Sequence, residues 1–305
     1  MSIETAMSDA CAAIGIEPPR QAKPGQWVKC PVLGKGRSNG AGRVLIFDDG
    51  RGGIAWNWVS GMEQRFTLEG MADRRQARAS RRDPEAERAV REQQAAAERA
   101  AGAIVAACDQ APHPYLAAKG FGEEPGLVLE DPAALVPVGE DFDGMRYQID
   151  QMTPPFLVVP GRIAQRIVTV QLIDATGAKL NMKAGPMRGA AHRIASGREM
   201  WVCEGIATAM SVRAALRLLG RSATVLSAFS AANVAVVAER LGGAVIAADH
   251  DKPLDQFQGK GTGEFYAART GRVWVMPPSL GDWNDYHQAH GLRAVALLLR
   301  EVRPP

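Results

Sequence analysis

The chain has 305 residues, of which 46% are hydrophobic and 23% are charged, as in ordinary globular proteins. Its formal net charge of +3 indicates no class of partner, and no apolar run approaches the ~20 residues that span a bilayer. The four cysteines form no CxxC pair and lack metal-ligand spacing, which argues against a disulfide framework and a zinc site. We therefore expect a reduced, cytoplasmic protein of two or three domains, without a membrane partner and without zinc.

Residues 1–69 are predicted to form a small β-rich module. Glycine-containing turns separate its short strands, and aromatic residues are interleaved with basic ones. Single-stranded DNA requires this combination, because bases stack on aromatic rings while cations pair with phosphates. The alternative hypothesis is that the tryptophans form the core of the module and the basic residues its solvated rim. The candidate DNA-binding residues are Trp27, Lys29, Arg43, Trp56 and Trp58.

Residues 70–108 are predicted to form a charged helical linker. Five arginines between residues 74 and 82 precede Asp83-Pro84-Glu85, which is typical of a helix start because Asp caps and Pro suits the first turn. Glu87 and Arg91 lie four residues apart and can pair on one helix face. Because the stretch is apolar only near residues 103–105, a solvated linker is favoured over an element that binds nucleic acid.

Residues 109–197 are predicted to form an α+β lobe with a basic surface. Lysine and arginine outnumber the acidic residues in its second half. These cations either bind nucleic-acid phosphates, with counterion release supplying affinity, or lie as ordinary surface charges on a β-hairpin.

Residues 198–305 are predicted to form a Rossmann-like α/β domain. Short apolar strands alternate with helical patterns, which indicates βαβ units and a sheet of about four parallel strands. Right-handed crossovers place the carboxyl ends of such strands at one edge of the sheet. The predicted strands are residues 201–203, 224–229, 245–248 and 272–276.

Acidic residues follow three of these strands. Glu204 comes after the first strand, Asp249 and Asp251 come after the third, and Asp282 and Asp285 lie a few residues past the fourth. Carboxylates at the carboxyl ends of parallel strands meet in the crevice where α/β sheets bind ligands. Several hard oxygen donors in one crevice can hold Mg²⁺ against phosphates. A simpler alternative is that Asp282 or Asp285 caps the last helix.

This order of acidic motifs resembles the Toprim domain, the metal-binding catalytic fold of bacterial-type primases, type IA and type II topoisomerases and some nucleases. The resemblance extends to primases encoded by plasmids and phages and covers about residues 110–295. The resembling segments are the element at 113–121, the hairpin at 157–160 and 170–179, the basic stretch at 183–193, and the signatures at 202–209, 229–233 and 282–287.

The resemblance implies a DNA primase, a DNA-directed RNA polymerase that synthesises short primers by two-metal nucleotidyl transfer with Mg²⁺ or Mn²⁺. It makes Glu204, Asp249 and Asp251 the catalytic residues, with Asp249 and Asp251 as metal ligands and Glu204 as either a metal ligand or a proton-transfer group. Asp282 and Asp285 would add ligands or hold coordinated waters. Gly205 would let the backbone turn sharply and leave room for phosphate. For His287, two residues after Asp285, an ordinary surface or helix-capping histidine is favoured over the alternative that it hydrogen-bonds an acidic ligand. The expected nucleotide- and template-binding residues are Lys183, Arg188, Gly205, Asn233 and Lys260. For Asn233 the safer alternative is that it, with Ser230, caps the helix that follows.

The resemblance also places a degenerate zinc ribbon without zinc ligands in the N-terminal module. The expected partners are single-stranded DNA, NTPs and a separate replicative helicase, because no helicase motor is visible in these residues. The expected setting is replication of a plasmid, phage or integrative element. Two alternatives remain open: a Toprim nuclease that uses the same acids to cleave DNA, and a non-catalytic protein that binds single-stranded DNA.

Overall fold

The computed structural model describes residues 2–34, 39–59, 62–68, 70–71 and 84–304. Its contacts divide the chain into two compact units, Met1–Arg82 with Lys252–Thr262, and Asp83–Asp251 with Gly263–Pro305. The predicted helix cap Asp83 and the arginines between 74 and 82 lie outside the described residues. In the described parts of the chain, no helix is long and apolar enough to cross a membrane.

The first unit contains a helix packed on one face of an antiparallel sheet. Within its described residues the strands follow each other in chain order, β1-β2-β3-β4-β5. Alternate residues such as Val44 and Phe66 are buried with Met7 and Cys11 of the helix. The helix was not expected from the sequence. The elements are α1 (Ile3–Ala13), β1 (Trp27–Cys30), β2 (Gly42–Ile46), β3 (Gly52–Asn57), β4 (Met62–Thr67) and β5 (Gly70–Met71).

The second unit begins with an α+β lobe. Its antiparallel sheet has the strand order β10-β9-β8-β7-β6 among the residues described. The elements are α2 (Pro84–Ala106), β6 (Asp109–Ala111), α3 (Pro114–Ala118), β7 (Gly126–Leu129), α4 (Glu140–Asp150), β8 (Phe156–Ile163), β9 (Arg166–Ile173) and β10 (Lys179–Asn181).

Helix α2 is only partly the solvated linker that the sequence predicted. Its first half is exposed and carries charged pairs, including the expected pair of Arg91 and Glu87 at 3.3 Å. Its second half buries Ala97, Ala101 and Ile104 in the core of the α+β lobe, together with residues of β8 and β9. Small alanine side chains let the helix pack closely against the sheet. The second half of α2 therefore forms a buried face although its sequence is only weakly apolar.

The remainder of the second unit is a doubly wound α/β domain. Across its described residues the strand order is β11-β13-β12-β14-β15, with β11 antiparallel and the others parallel. The elements are β11 (His192–Ala195), β12 (Glu199–Cys203), α5 (Ile206–Leu218), β13 (Ala223–Ser227), α6 (Ala231–Arg240), β14 (Ala244–Ala247), α7 (Thr262–Arg269), β15 (Val273–Val275), α8 (Trp283–His290) and α9 (Leu292–Arg300).

Both faces of this sheet are covered. Trp201 and Cys203 pack against α5, α8 and α9, whereas Val202 packs against α6 and α7. The chain passes from β12 to β13, its neighbour in one direction along the sheet. It then crosses back over β12 to β14, the neighbour of β12 in the other direction. The crevice of an open α/β sheet forms at such a reversal of strand order, which here lies between the carboxyl ends of β12 and β14.

The predicted parallel strands are confirmed, with three differences. The sheet begins at β11, before the predicted domain boundary at residue 198, because β11 adds an antiparallel edge. Strand β13 ends at Ser227, since Phe229 has φ of +70° and leaves the extended conformation. Helix α8 precedes the last helix and was not expected.

An ion pair joins the beginning of β12 to the segment that follows α5. The Arg221 guanidinium donates to Glu199 at 2.7–3.0 Å and to the Leu299 carbonyl at 2.8 Å. The Trp201 indole N–H also donates to Glu199, at 3.0 Å. Burial by itself would raise the pKa of Glu199, but the hydrogen bonds from Arg221 and Trp201 and the charge of Arg221 outweigh it and lower that pKa.

We expect Glu199→Gln to lower the free energy of unfolding by about 2 kcal/mol at neutral pH, since it removes charged hydrogen bonds in a partly buried site. A carboxyl group whose pKa is lowered by folding stabilises the folded protein at pH values above its ordinary pKa. This stabilisation is lost as the pH falls through the pKa of the folded state. The difference between the proteins should therefore shrink on acidification. Urea unfolding at a series of pH values measures it. Glu301→Gln, in an exposed pair with Arg300, is the control and should cost less than about 0.5 kcal/mol. A pH-independent difference would contradict this account.

Candidate active site

Glu204 lies between β12 and α5, at the edge of the sheet where the strand order reverses. Its carbonyl accepts hydrogen bonds from the Ser227 hydroxyl at 3.0 Å and from the Phe229 N–H at 2.8 Å. Phe229 has a positive φ, which is uncommon for a bulky residue, and its ring packs in a cluster with Ile206 and Met210. The junction between β13 and α6 therefore holds the backbone of Glu204 in place.

Gly205 is the N-cap of α5 and has open space beside it. Its φ of −97° and ψ of 160° are accessible to any residue, so the expected reason for glycine, a sharp turn, is wrong. A Cβ added at Gly205 would meet no atom within 4 Å. The Cα of Gly205 therefore borders open space at the start of α5, next to Glu204. Because the N-cap residue is a glycine, it provides no side-chain hydrogen bond to the first N–H groups of α5.

Asp249 and Asp251 follow β14 as the sequence predicted. Asp249 accepts a long contact of 3.5 Å from the Thr208 hydroxyl on α5, and Asp251 accepts a 2.8 Å hydrogen bond from the Gly263 N–H. His250 between them pairs with Gly281 through the backbone, and its ring contacts the Pro277 carbonyl at 2.9 Å. The histidine side chain is therefore engaged elsewhere, and the extended backbone turns both aspartates to the opposite side.

Several carboxylates act on one another at this edge, and we call Glu204, Asp249, Asp251 and Asp282 the carboxylate cluster. Burial raises the pKa of Asp249 well above its ordinary value, and the charges of Glu204, Asp282 and Asp251 raise it further. The charge of Lys179 opposes this shift. Within the residues that the structure describes, no three His, Cys, Asp or Glu side chains form a group that could hold a metal ion by themselves.

Asp282 and Asp285 cap helix α8. Asp282 accepts from the N–H groups of Asn284 and Asp285 at 2.7 and 2.8 Å, and Asp285 accepts from the Asp282 N–H at 3.1 Å. This capping box confirms the simpler hypothesis for these residues, although the capped helix is α8 and not the last helix. Asp282 still raises the pKa of Asp249, so capping and membership of the carboxylate cluster coexist.

The α+β lobe contributes residues that the sequence analysis did not assign to this site. The Lys119 ammonium lies 3.8 Å from Asp285, and the Lys179 ammonium lies over the Tyr115 ring at 5.8 Å. Burial raises the pKa of Tyr115 to about 12, with the charges of Asp282 and Asp285 contributing. The signal that could have indicated them is the resembling segment 113–121, which contains both Tyr115 and Lys119.

Buried amides and hydroxyls join α8 to the lobe. Asn284 is fully buried and donates to the Lys119 carbonyl at 2.9 Å and to the Ser211 hydroxyl at 3.1 Å. His287 contacts the same Ser211 hydroxyl at 3.1 Å. The alternative that His287 hydrogen-bonds an acidic ligand is therefore not observed, because its ring contacts a serine of α5.

The Asn233 side chain hydrogen-bonds the backbone of neighbouring segments. Its side chain accepts from the Gly189 N–H at 2.6 Å and donates to the carbonyls of Ala190 and Ala228, both at 2.8 Å. Ser230, not Asn233, caps α6. The Asn233 amide is occupied by backbone groups, which corrects the expectation that it points to a nucleotide. It instead holds the segment that contains Arg188.

The other predicted nucleotide- and template-binding residues are not brought together by described contacts. Lys183 and Arg188 are exposed between β10 and β11. Lys260 belongs to the Lys252–Thr262 segment, which packs within the first unit.

The five candidate DNA-binding residues of the first unit share one side of its sheet. Lys29 is opposite Arg43, and Arg43 is opposite Trp56, on the face that points away from α1. Trp58 stacks on Trp56 with ring centroids 4.9 Å apart, and Trp27 and Trp58 are 52% and 60% exposed. The hypothesis that tryptophans form the core is wrong for Trp27 and Trp58. The core lies on the opposite face, under α1.

Comparisons with known proteins identify part of this architecture. Residues 199–293 match the family model of the Toprim domain. Among similar solved structures are the bacteriophage T7 lagging-strand DNA polymerase interacting with primase domains bound to an RNA/DNA hybrid and dTTP, and the primase fragment of the bacteriophage T7 primase-helicase protein. Each is 14% identical with a TM-score of 0.36. The alignment with the first structure covers 50% of this chain and 80% of the matched chain. The alignment with the second covers 48% of this chain and 63% of the matched chain.

Proposed function

We propose that this protein, whose residues 199–293 are a Toprim domain, is a DNA primase that synthesises short primers on single-stranded DNA. One observation carries the proposal: the carboxylate cluster lies at the reversal of strand order beside the open N-terminus of α5. Carboxylates that can hold a cation and N–H groups that can receive phosphate are thus adjacent. Replication of a plasmid, phage or integrative element is the setting we propose.

The reaction would be nucleotidyl transfer, in which a 3′-hydroxyl attacks an α-phosphate and pyrophosphate leaves. Mg²⁺ or Mn²⁺, when bound, lowers the cost of charge on the attacking and leaving oxygens. The donor set fits such an ion, because burial and then the charges of the neighbouring carboxylates raise the pKa of Asp249, and a cation would offset those charges. Mg²⁺ in nucleotide sites is held by one or two carboxylates, with substrate phosphates and waters as further ligands. A closed cage of three side chains is therefore not required.

The proposed roles belong to acidic side chains, to the start of α5 and to basic side chains. Glu204, Asp249 and Asp251 would hold the metal ions, and Asp282 and Asp285 would orient coordinated waters while they cap α8. The N-terminus of α5 would receive the nucleotide phosphates over Gly205. Lys119 and Lys179 would offset negative charge at the edge of the carboxylate cluster. Further contacts to nucleotide or template would come from Lys183, Arg188 and Lys260.

The exposed aromatic face of the first unit supports binding of the template strand. Stacked rings beside cations suit single-stranded DNA, since every base has a face that stacks and every nucleotide carries a phosphate. The substrates would be NTPs, and a separate replicative helicase would supply unwound template.

A template-directed synthesis assay tests the proposed activity. Purified protein, single-stranded DNA and labelled NTPs with Mg²⁺ or Mn²⁺ should yield short, template-dependent products. The double variant Asp249→Ala/Asp251→Ala should lose roughly 10³-fold of this activity, because the metal ions lose their ligands. Asp150→Ala, an exposed aspartate at the end of α4, is the control and should remain active. Degraded template without products would indicate a nuclease, and equal DNA binding without either reaction would indicate a non-catalytic binding protein.

Gly205→Ala tests whether phosphate is received at the start of α5. The added methyl group meets no protein atom, so the free energy of unfolding should change by less than about 1 kcal/mol, within the usual effect at a helix cap. Primer synthesis should nevertheless fall at least roughly tenfold, because the methyl group displaces a closely approaching phosphate. Gly144→Ala in α4 also adds a methyl group in open space and should leave synthesis unchanged. Full activity of Gly205→Ala would rule out this approach of the substrate.

Trp58→Ala tests the aromatic face. It should weaken binding of a labelled single-stranded oligonucleotide by about 1–3 kcal/mol, the cost of losing one base stack. Fluorescence anisotropy measures this in the full-length protein. Tyr147→Ala on α4 removes an aromatic side chain that is 67% exposed in the second unit and should have no effect. Equal affinities of the wild-type protein and Trp58→Ala would show that the template binds elsewhere.

A further inference from the structure

The second unit contains a cavity of about 630 Å³ that is separate from the carboxylate cluster. It lies between the turn that joins β8 to β9, the edge strand β11 and the last turn of α6. Its lining reaches Met200 and Thr224, near the amino ends of β12 and β13. The carboxylate cluster follows the carboxyl ends of the parallel strands, so the cavity and the cluster are at different places on the sheet.

Three arginines line this cavity without a compensating acid. Arg162, Arg193 and Arg240 are among its lining residues, and no aspartate or glutamate is. In the described ranges of the chain, none of the three forms a salt bridge. Guanidinium groups gathered around one cavity repel each other, and a bound anion with several oxygens would remove that repulsion.

A neighbouring histidine adds no positive charge to the cavity. Burial lowers the pKa of His192 to about 4, and the charge of Arg162 lowers it too, while a 3.1 Å contact with the Pro160 carbonyl opposes the shift. His192 is therefore neutral near neutral pH, and the arginines alone set the charge of the cavity.

The approach of Arg240 to the cavity depends on a glycine. Gly189 has φ of +83°, and a Cβ built on it would overlap the Arg240 guanidinium. Asn233 holds the Gly189 N–H at 2.6 Å, which fixes the segment in this position.

The rest of the lining is apolar with polar groups at intervals. Gln165 and Thr224 add an amide and a hydroxyl to the wall. An apolar wall suits a flat ring, and an amide can hydrogen-bond its edge, while the arginines suit phosphates. The volume is within the usual range of ligand sites, about 300–1,000 Å³. The apolar lining residues are Ile163, Ala164, Ala191, Met200, Leu226, Val237 and Leu241.

From this combination we propose that the cavity between β11, α6 and the β8–β9 turn is a second nucleotide site that binds a nucleoside polyphosphate. The base would lie against the apolar wall, and the phosphates would be held by Arg162, Arg193 and Arg240. The site is distinct from the carboxylate cluster and does not depend on a divalent ion. Because Gly189 follows Arg188 directly, a ligand here would also restrict the position of Arg188.

The test uses the full-length protein in EDTA and a fluorescent ATP analogue, with displacement by unlabelled ATP as the check of specificity. Arg193→Ala and Arg240→Ala should each weaken binding of the probe by about tenfold or more, because each removes charged hydrogen bonds to phosphate. Gly189→Ala should weaken it as well, since the methyl group displaces the Arg240 guanidinium. Arg293→Ala removes an exposed arginine of α9 outside the cavity and should have no effect. Both Arg193 and Arg240 are exposed, so their loss should leave the circular dichroism spectrum unchanged.

Three results would overturn the proposal. The first is equal probe affinity in the wild-type protein and the cavity variants. The second is loss of the probe in Lys179→Ala but not in the arginine variants, which would place the probe beside the carboxylate cluster. The third is displacement of the probe by a short single-stranded oligonucleotide at lower concentrations than by ATP, which would make the cavity part of a path for a nucleic-acid strand.

Discussion

The reversal of strand order at β12 is the constraint on which the site depends. Because the connections after β12 and β14 leave the sheet on opposite faces, a crevice forms between the carboxyl ends of these two strands. Glu204 and Asp249 are the residues that follow those ends. Their proximity is therefore a consequence of topology, and it brings like charges together in a partly buried place. Burial and, after it, repulsion raise the pKa of Asp249, and a bound cation would offset the repulsion.

Neighbouring elements hold this unfavourable arrangement in place. Ser227 and Phe229 fix the Glu204 carbonyl from the junction after β13, and Gly263 donates to Asp251. Asp282 contributes charge to the cluster and at the same time caps α8, whose Asn284 binds the Lys119 carbonyl. The α+β lobe and the doubly wound α/β domain therefore share one buried network, and stability of the fold and geometry of the site are not separable there.

Much of this could be predicted from the sequence. The alternation of apolar strands with helices indicated the parallel sheet, and the positions of Glu204 and Asp249 after strands indicated where acids would meet. The interleaving of Trp27, Lys29 and Trp56 also indicated a shared surface, since alternate residues of paired strands lie on one face. Helix α1 was missed although Ser2 caps it, and helix α8 was missed because capping by Asp282 or Asp285 was assigned to the last helix.

The sequence by itself determined the elements whose information is local: strand alternation, helix starts and the acids that follow strands. Tertiary structure alone decided which distant groups meet. Lys179 acts on the carboxylate cluster, Lys119 pairs with Asp285, and Asn233 hydrogen-bonds Gly189. Three arginines from two strands and a helix line one cavity. Contacts of this kind join residues tens of positions apart, and their geometry depends on strand order and packing. A one-dimensional pattern records residue types and spacing but not these distances, because they are set by how the layers close on one another.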